Sequence, residues 1–320
     1  MADNDLISFH RKLLNAPERM QAYREAIFKT VRPDDVVLDV GCGSGILGLF
    51  ACQAGARRVY AIEQSNAISV ASELAAANGF ADRIVYINKD IKEVHLDEQA
   101  DVIVSELISK GVIGQKMAET IGYCRDHLLK TDGRILPNQV ELFIAPIEDN
   151  VIYRKTQLPE KSEYDLDFTP FARRSYNNPL SAHIPAHSLL STGQIAYRYD
   201  APTAANFDSF DAKLVFEVEK AGMLHGFCAW FSSVLAEGVV MSNKPPGIAA
   251  WDNLFLPLAQ PAHVEPGITI ELSLKGRDDS QMPFIWIWNT TVRSNSQILA
   301  EHRQSTCFAK IPPVSAKMYK

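Results

Sequence analysis

"VVLDVGCGSGILGLF", from Val36 to Phe50, decides the fold of the N-terminal half. Its apolar opening, Val36-Val37-Leu38, reads as a buried strand, and Gly41, Gly43 and Gly45 follow directly. A glycine-rich turn between a buried strand and a helix lets backbone approach a bound nucleotide closely. The helix that follows, ILGLFACQAG, ends at Gly55. Working outward, RVYAIE is a second strand and NAISVASELAAANG a helix ending at Gly79. IVYIN and ADVIVSE are the third and fourth strands. A helix over 114–130, a turn at Gly133, RILP and VELFIAPI complete the series. Such alternation with short links predicts a parallel sheet with helices on both faces. Upstream, residues 10–30 read as one helix, with Leu13, Leu14, Met20, Tyr23, Ala26 and Ile27 inward and Pro33 as its stop.

The texture changes after Pro146. KLVFEVEK, LHGFCAWFSSVL, GITIELSL and PFIWIWNTTV are apolar and β-rich, and Pro, Gly, Asn and Asp separate them. This predicts an antiparallel β domain, barrel-like in architecture. The stretch 153–190 fits neither half. The expected organisation is therefore N-terminal helices over 1–30, a nucleotide-binding α/β domain over 31–146, and a β-barrel-like domain over 147–320 with an insertion at about 153–190.

The nucleotide follows from the loop. Dinucleotide dehydrogenases carry GxGxxG. Here the spacing is GxGxG, and Ile46 stands where the third glycine would be. Asp39, at the strand end, adds a carboxylate that does not suit pyrophosphate. It suits a ligand with positive charge and a free amino group. S-adenosylmethionine has a sulfonium, an α-ammonium and no phosphate. Glu63 closes the second strand, where a carboxylate can accept both ribose hydroxyls. Asp90 and Ile91 close the third, where a carboxylate and a backbone N–H can read an adenine edge. A Rossmann-like S-adenosylmethionine-dependent methyltransferase domain is the expectation.

Composition is consistent with this reading. The net charge of −6 marks no general nucleic-acid or anionic-membrane binder. No apolar run has the length of a membrane span, and the acidic start MADNDLISFHRKLL is not a secretory signal. The five cysteines are scattered, without metal-ligand spacing, so no metal site is expected. A cytoplasmic location follows as an expectation.

On several segments the chain resembles the protein arginine methyltransferases. HRKLLNAPERMQAYREAI resembles that family's N-terminal helices, and VLDVGCGSGILGLFACQAGARRVYAIE its first motif. DVIVSEL is similar to the start of its double-glutamate hairpin, and YDLDFTPF to its dimerisation arm. SNKPPGIAAWDNLFLPL is similar to the segment carrying its Thr-His-Trp loop. The resemblance implies that Arg19 pairs with the cofactor's methionine carboxylate and that His10 helps close a lid. It places Met117 near the transferred methyl, with Tyr23 lining the same pocket and Trp251 facing the acceptor. Glu106 would hold the acceptor and take its proton. A homodimer joined through the arm is implied as well.

Three departures bear on the acceptor. The hairpin's second glutamate position holds Gln115, the Thr-His-Trp triplet reads Ala249-Ala250-Trp251, and the hairpin interior includes Lys110 where aromatics are usual. A guanidinium enters as a cation, and burying a cation requires counter-charge. One carboxylate and one amide supply half of what two carboxylates would. Three readings stay open: methylation of arginine in an acceptor protein, methylation of a small guanidine or another small-molecule acceptor, and a non-catalytic cofactor-binding scaffold. The joint presence of Asp39, Glu63 and Arg19 argues against the scaffold.

Overall fold

The computed structural model describes residues 3–108, 117–159, 164–204, 209–277 and 284–310. The chain forms α1 (Asp3–Leu14), α2 (Pro17–Thr30), β1 (Val36–Val40), α3 (Ile46–Ala54), β2 (Arg58–Ile62), α4 (Ala67–Ala77), β3 (Ile84–Ile87) and β4 (Ala100–Ser105). These are followed by α5 (Met117–His127), β5 (Leu129–Leu136), β6 (Gln139–Ile147), α6 (Asn150–Arg154), α7 (Thr169–Ser175) and β7 (Leu180–Ala182). The remainder is β8 (Gln194–Asp200), β9 (Ser209–Glu217), β10 (Gly222–Ala236), β11 (Val239–Ser242), β12 (Asn253–Val264), β13 (Ile268–Arg277), β14 (Ile285–Ser294), β15 (Gln297–Ser305) and α8 (Thr306–Ala309). Two compact units result. The first gathers 1–142, 197–208 and 230–252; the second gathers 143–196, 209–229 and 253–320.

In the first unit, strands run in the order β3-β2-β1-β4-β5, all parallel. β1 is central, and every one of its residues is buried. This fits a sheet covered on both faces, where strands read as continuous apolar runs. The α/β expectation is met, with three local corrections. The single helix expected over 10–30 is two, because Pro17 opens α2 at a first-turn position, where its missing N–H costs nothing. Gly133 lies inside β5, where the pairing with β4 shifts register. Leu129 closes over it: a Cβ at Gly133 would fall 2.4 Å from Leu129 Cγ. The third strand ends at Ile87, so Asp90 lies beyond it, capping a 3-10 turn over Ile91–Glu93.

α2 packs one face inward through Tyr23, Ala26 and Ile27, all fully buried. Full burial of a large apolar side chain is worth about 1.5–3 kcal/mol. Its C-terminus is fixed from the sheet by Arg134, which donates to Thr30 O and to both Asp35 oxygens at 2.9 Å. The third segment of this unit is braced by Asn243. Its Oδ1 accepts from Phe231 N–H at 2.8 Å and its Nδ2 donates to Asp252 O at 2.9 Å. That brace fixes both ends of the turn carrying Trp251.

The second unit is antiparallel β. β13 pairs with β9 and β14, β14 with β15, and β12 with β7 and β10. Pro257 O accepts from Trp288 Nε1 at 2.9 Å and Gln304 Nε2 at 3.0 Å, tying β12 to β14 and β15. The inserted stretch contributes α6, α7 and β7. It is anchored where Asn177 Oδ1 accepts from Ser305 N–H at 2.8 Å and Tyr176 O accepts from Gln304 Nε2 at 2.6 Å.

Candidate active site

The site is built at the C-terminal ends of β1, β2 and β4. Gly41, Gly43 and Gly45 have φ of +69°, +52° and +77°, the left-handed region that favours glycine. Space requires glycine too. A Cβ on Gly43 would lie 2.5 Å from His10 Cε1, on Gly41 2.9 Å from Leu107 Cδ2, and on Gly45 2.9 Å from Ala71 Cβ. His10 of α1 and Leu107 after β4 therefore close on this loop. Burial lowers the His10 pKa, with Glu63 opposing that shift and Arg19 reinforcing it.

Asp39 is fully buried. Its Oδ2 accepts from Gly48 N–H at 2.9 Å, while its Oδ1 has no hydrogen-bond partner among the described residues. Burial raises its carboxyl to about 7 against the lowering effect of the Gly48 N–H. Glu63 Oε2 accepts from Gly43 N–H at 3.0 Å and its Oε1 from Ser65 N–H at 2.7 Å. Asn88 Nδ2 donates to Glu63 O at 2.7 Å, and Asp90 Oδ2 accepts from Gln64 Nε2 at 2.9 Å. Ile91 is buried beneath its turn. These residues fit S-adenosylmethionine. A buried carboxyl oxygen without a partner has room for an N–H or O–H donor, which the cofactor's amino group or ribose supplies, and the tight glycine loop leaves room for backbone approach rather than side chains.

The second cluster centres on Arg19. Its Nη2 and Nε both donate to Glu106 Oε2, at 3.0 and 3.3 Å. Its guanidinium carbon lies 5.6 Å from the Tyr23 ring and 6.0 Å from the Trp251 ring. Both distances are in reach of cation–π attraction. Tyr23 donates its hydroxyl to Ser105 O at 3.1 Å, and Trp251 meets Phe231 edge-on at 5.3 Å. The Glu106 side chain is 9% exposed; desolvation raises its carboxyl to about 7, while the Arg19 charge and hydrogen bonds from Arg19 and Ile108 N–H act against that rise. The structure thus joins Arg19 and Tyr23 of α2, Glu106 after β4, and Trp251 from the turn before β12: three separate segments. Arg19 pairs here with Glu106; the resemblance alone did not indicate that partnership. Met117 is buried at the first turn of α5. Gln115 and Lys110 lie outside the described residues.

Sequence reasoning missed Gln64, Asn88 and Leu107. The available signal was position: polar residues directly after β2 and β3, and an apolar residue directly after Glu106, all at the edge where ligands bind in such sheets.

Residues 21–136 match the family model described as ribosomal protein L11 methyltransferase (PrmA), and residues 139–309 match the PRMT5 oligomerisation domain. Protein arginine N-methyltransferase 6 of Xenopus laevis is 30% identical over 298 residues, covering 85% of each chain. Protein arginine N-methyltransferase 1 of Saccharomyces cerevisiae is 31% identical over 235 residues, 72% of this chain and 67% of the yeast protein. Against the probable protein arginine N-methyltransferase 6 of Arabidopsis thaliana the identity is 30%, and the chain spans 54% of that relative's length. Among solved structures, the Trypanosoma brucei PRMT1 enzyme-prozyme heterotetrameric complex with AdoHcy superposes with a TM-score of 0.86 at 25% identity, covering 92% of this chain and 96% of that one. Fold, site geometry and relatives agree: the chain belongs to the protein arginine N-methyltransferase family of S-adenosylmethionine-dependent methyltransferases.

Proposed function

We propose that this protein transfers a methyl group from S-adenosylmethionine to a guanidinium nitrogen of arginine in an acceptor protein. The observation that carries the reading is the Glu106 carboxylate, only 9% exposed, which holds the Arg19 guanidinium where that guanidinium also lies beside the Tyr23 and Trp251 rings. A carboxylate and aromatic faces that hold one planar guanidinium are the chemistry a second would need. Bound S-adenosylmethionine would supply an electrophilic methyl and a sulfonium leaving group. Asp39 and the glycine loop would hold its charged and amino groups, Glu63 its ribose, and Arg19 its carboxylate. Glu106 orients the acceptor nitrogen and takes the proton that nitrogen loses as its bond to methyl forms. A carboxyl near pH 7 can take that proton and return it to water.

Gln115 favours a second reading, a small acceptor of lower charge. The sign of one substitution separates the two. With a guanidinium acceptor, Gln115→Glu adds counter-charge beside a cation and raises turnover. With a neutral acceptor, it adds an unpaired carboxylate beside Glu106 and lowers turnover. The first test is broader: incubation with methyl-labelled cofactor and cell extract, followed by size fractionation. Label in macromolecules supports the protein acceptor; label confined to small molecules sinks it.

The match to an oligomerisation domain over 139–309 supports assembly, and we take the assembly to be a homodimer. Phe171, 64% exposed on α7, lies in the stretch that resembles the family's arm. Deleting 158–172 should yield monomers in sedimentation; an unchanged oligomer would exclude the arm from the interface. A cytoplasmic location belongs to the same proposal, in keeping with the five free cysteines.

A further inference from the structure

The loop after β3 is held from two sides. On one side Asp90 Oδ2 accepts from Gln64 Nε2 at 2.9 Å, which ties the loop to the end of β2, while Asp90 Oδ1 accepts from Lys92 N–H at 2.9 Å within its own turn. On the other side stands α5. Tyr123 donates its hydroxyl to Lys92 O at 3.2 Å, and Glu119 pairs with the Lys92 ammonium. Glu119 and Tyr123 are four residues apart on one helix face, so both reach the same turn. The Tyr123 ring is itself fixed: it stacks on His127 at 4.3 Å with 19° between planes, and His127 Nδ1 donates to Tyr123 O at 2.9 Å. The same helix begins at Met117, about 9 Å away along the axis at 1.5 Å per residue.

We propose that Tyr123, assisted by the Lys92–Glu119 pair, is a positioning residue that sets the adenine-facing loop Asp90–Ile91 from helix α5. One helix then fixes both the base end of the cofactor site and, through Met117, its methyl end. The ion pair is exposed and contributes little. The hydroxyl–carbonyl bond is the main link, because it fixes the backbone of the turn that Asp90 caps. The proposal rests on Asp90 and Ile91 as readers of the adenine edge. Adenine offers a donor at its amino group and an acceptor at N1. The hypoxanthine base of an inosine analogue reverses both, so a loop held in place discriminates between them and a loosened loop does so less.

The test is calorimetric binding of S-adenosylhomocysteine and of its inosine analogue to the full chain. Tyr123→Phe keeps the ring stack and removes only the hydroxyl. It should weaken S-adenosylhomocysteine about three- to tenfold, the size of one neutral hydrogen bond, and leave the inosine analogue unchanged. Glu119→Gln should weaken it by about twofold or less. In an Asp90→Ala background Tyr123→Phe should weaken binding less than it does alone, because only the Ile91 N–H is left to be positioned. If Asp90→Ala lowers discrimination while Tyr123→Phe, folded and binding, leaves it intact, the positioning role is overturned. If neither change alters discrimination, the adenine assignment itself fails, and the proposal with it.

Discussion

The face we propose for the cofactor and the face we propose for the acceptor are built differently. On the cofactor face, ligand-directed groups are braced by nearby backbone: Glu63 by the N–H groups of Gly43 and Ser65, Asp39 by that of Gly48. Residues 39–65 supply both carboxylates and the N–H groups that brace them. On the acceptor face, Glu106 depends chiefly on Arg19, with Ile108 N–H as a minor support, and the aromatic walls come from α2 and the turn at Trp251. A contiguous motif tolerates little change without losing its ligand. An assembly of distant segments can change its chemistry one residue at a time while the fold stands. That difference accommodates an intact glycine loop beside Gln115 and Ala250, the positions where the family resemblance leads one to expect a glutamate and a histidine.

The sharpest way to break the comparison is at Glu106. Glu106→Gln removes both the proton acceptor and the counter-charge of Arg19. Turnover should fall by about 10²–10⁴-fold in single-turnover methyl transfer. Without cofactor, the fold should lose about 3–5 kcal/mol in denaturant unfolding, because a buried guanidinium is left alone. Near-normal turnover with a folded protein would show that the acceptor face does not rest on this residue.

Gly43→Ala tests the other face. The added methyl meets His10 and occupies a left-handed backbone position. Cofactor affinity should drop about tenfold or more, and stability by about 1–2 kcal/mol. Unchanged affinity by calorimetry would mean that the loop is less tightly specified than its geometry indicates.

A smaller effect concerns protons. Asp39 holds its carboxyl proton to about pH 7 in the fold, whereas an unfolded carboxyl releases its own near 4. Its contribution to stability is therefore present below about pH 4 and is lost as pH rises to about 7. Binding a cation reverses this preference by favouring ionised Asp39. At pH 6, S-adenosylmethionine binding measured in buffers of different ionisation heat should release up to about one proton, and none at pH 8.5. Proton uptake at pH 6 would contradict the placement of a cation beside Asp39.

How much of this was legible in the sequence follows the same division. The parallel sheet and its glycine loop could be read directly, because strand, turn and helix lie next to one another in residues 36–63 and obey local rules. The break before α2 could have been read from Pro17, which opens helices as readily as it ends them. β8 could have been read too, from the alternation of Ile195, Tyr197 and Tyr199, whereas β15 could not, since Gln297–Ser305 lacks clean alternation of apolar and polar residues. The Arg19–Glu106 pair spans 87 residues and left no local trace. Only the fold brings those charges together.

The central claim is that Glu106 directs methyl transfer to a guanidinium. The most direct measurement is amino-acid analysis of acid-hydrolysed acceptor protein after incubation with methyl-labelled cofactor. Label should be recovered as N-methylated arginine with the wild-type enzyme and be absent with a folded, cofactor-binding Glu106→Gln variant. Label recovered in another amino acid, or in methylarginine at equal yield from both enzymes, would contradict the account.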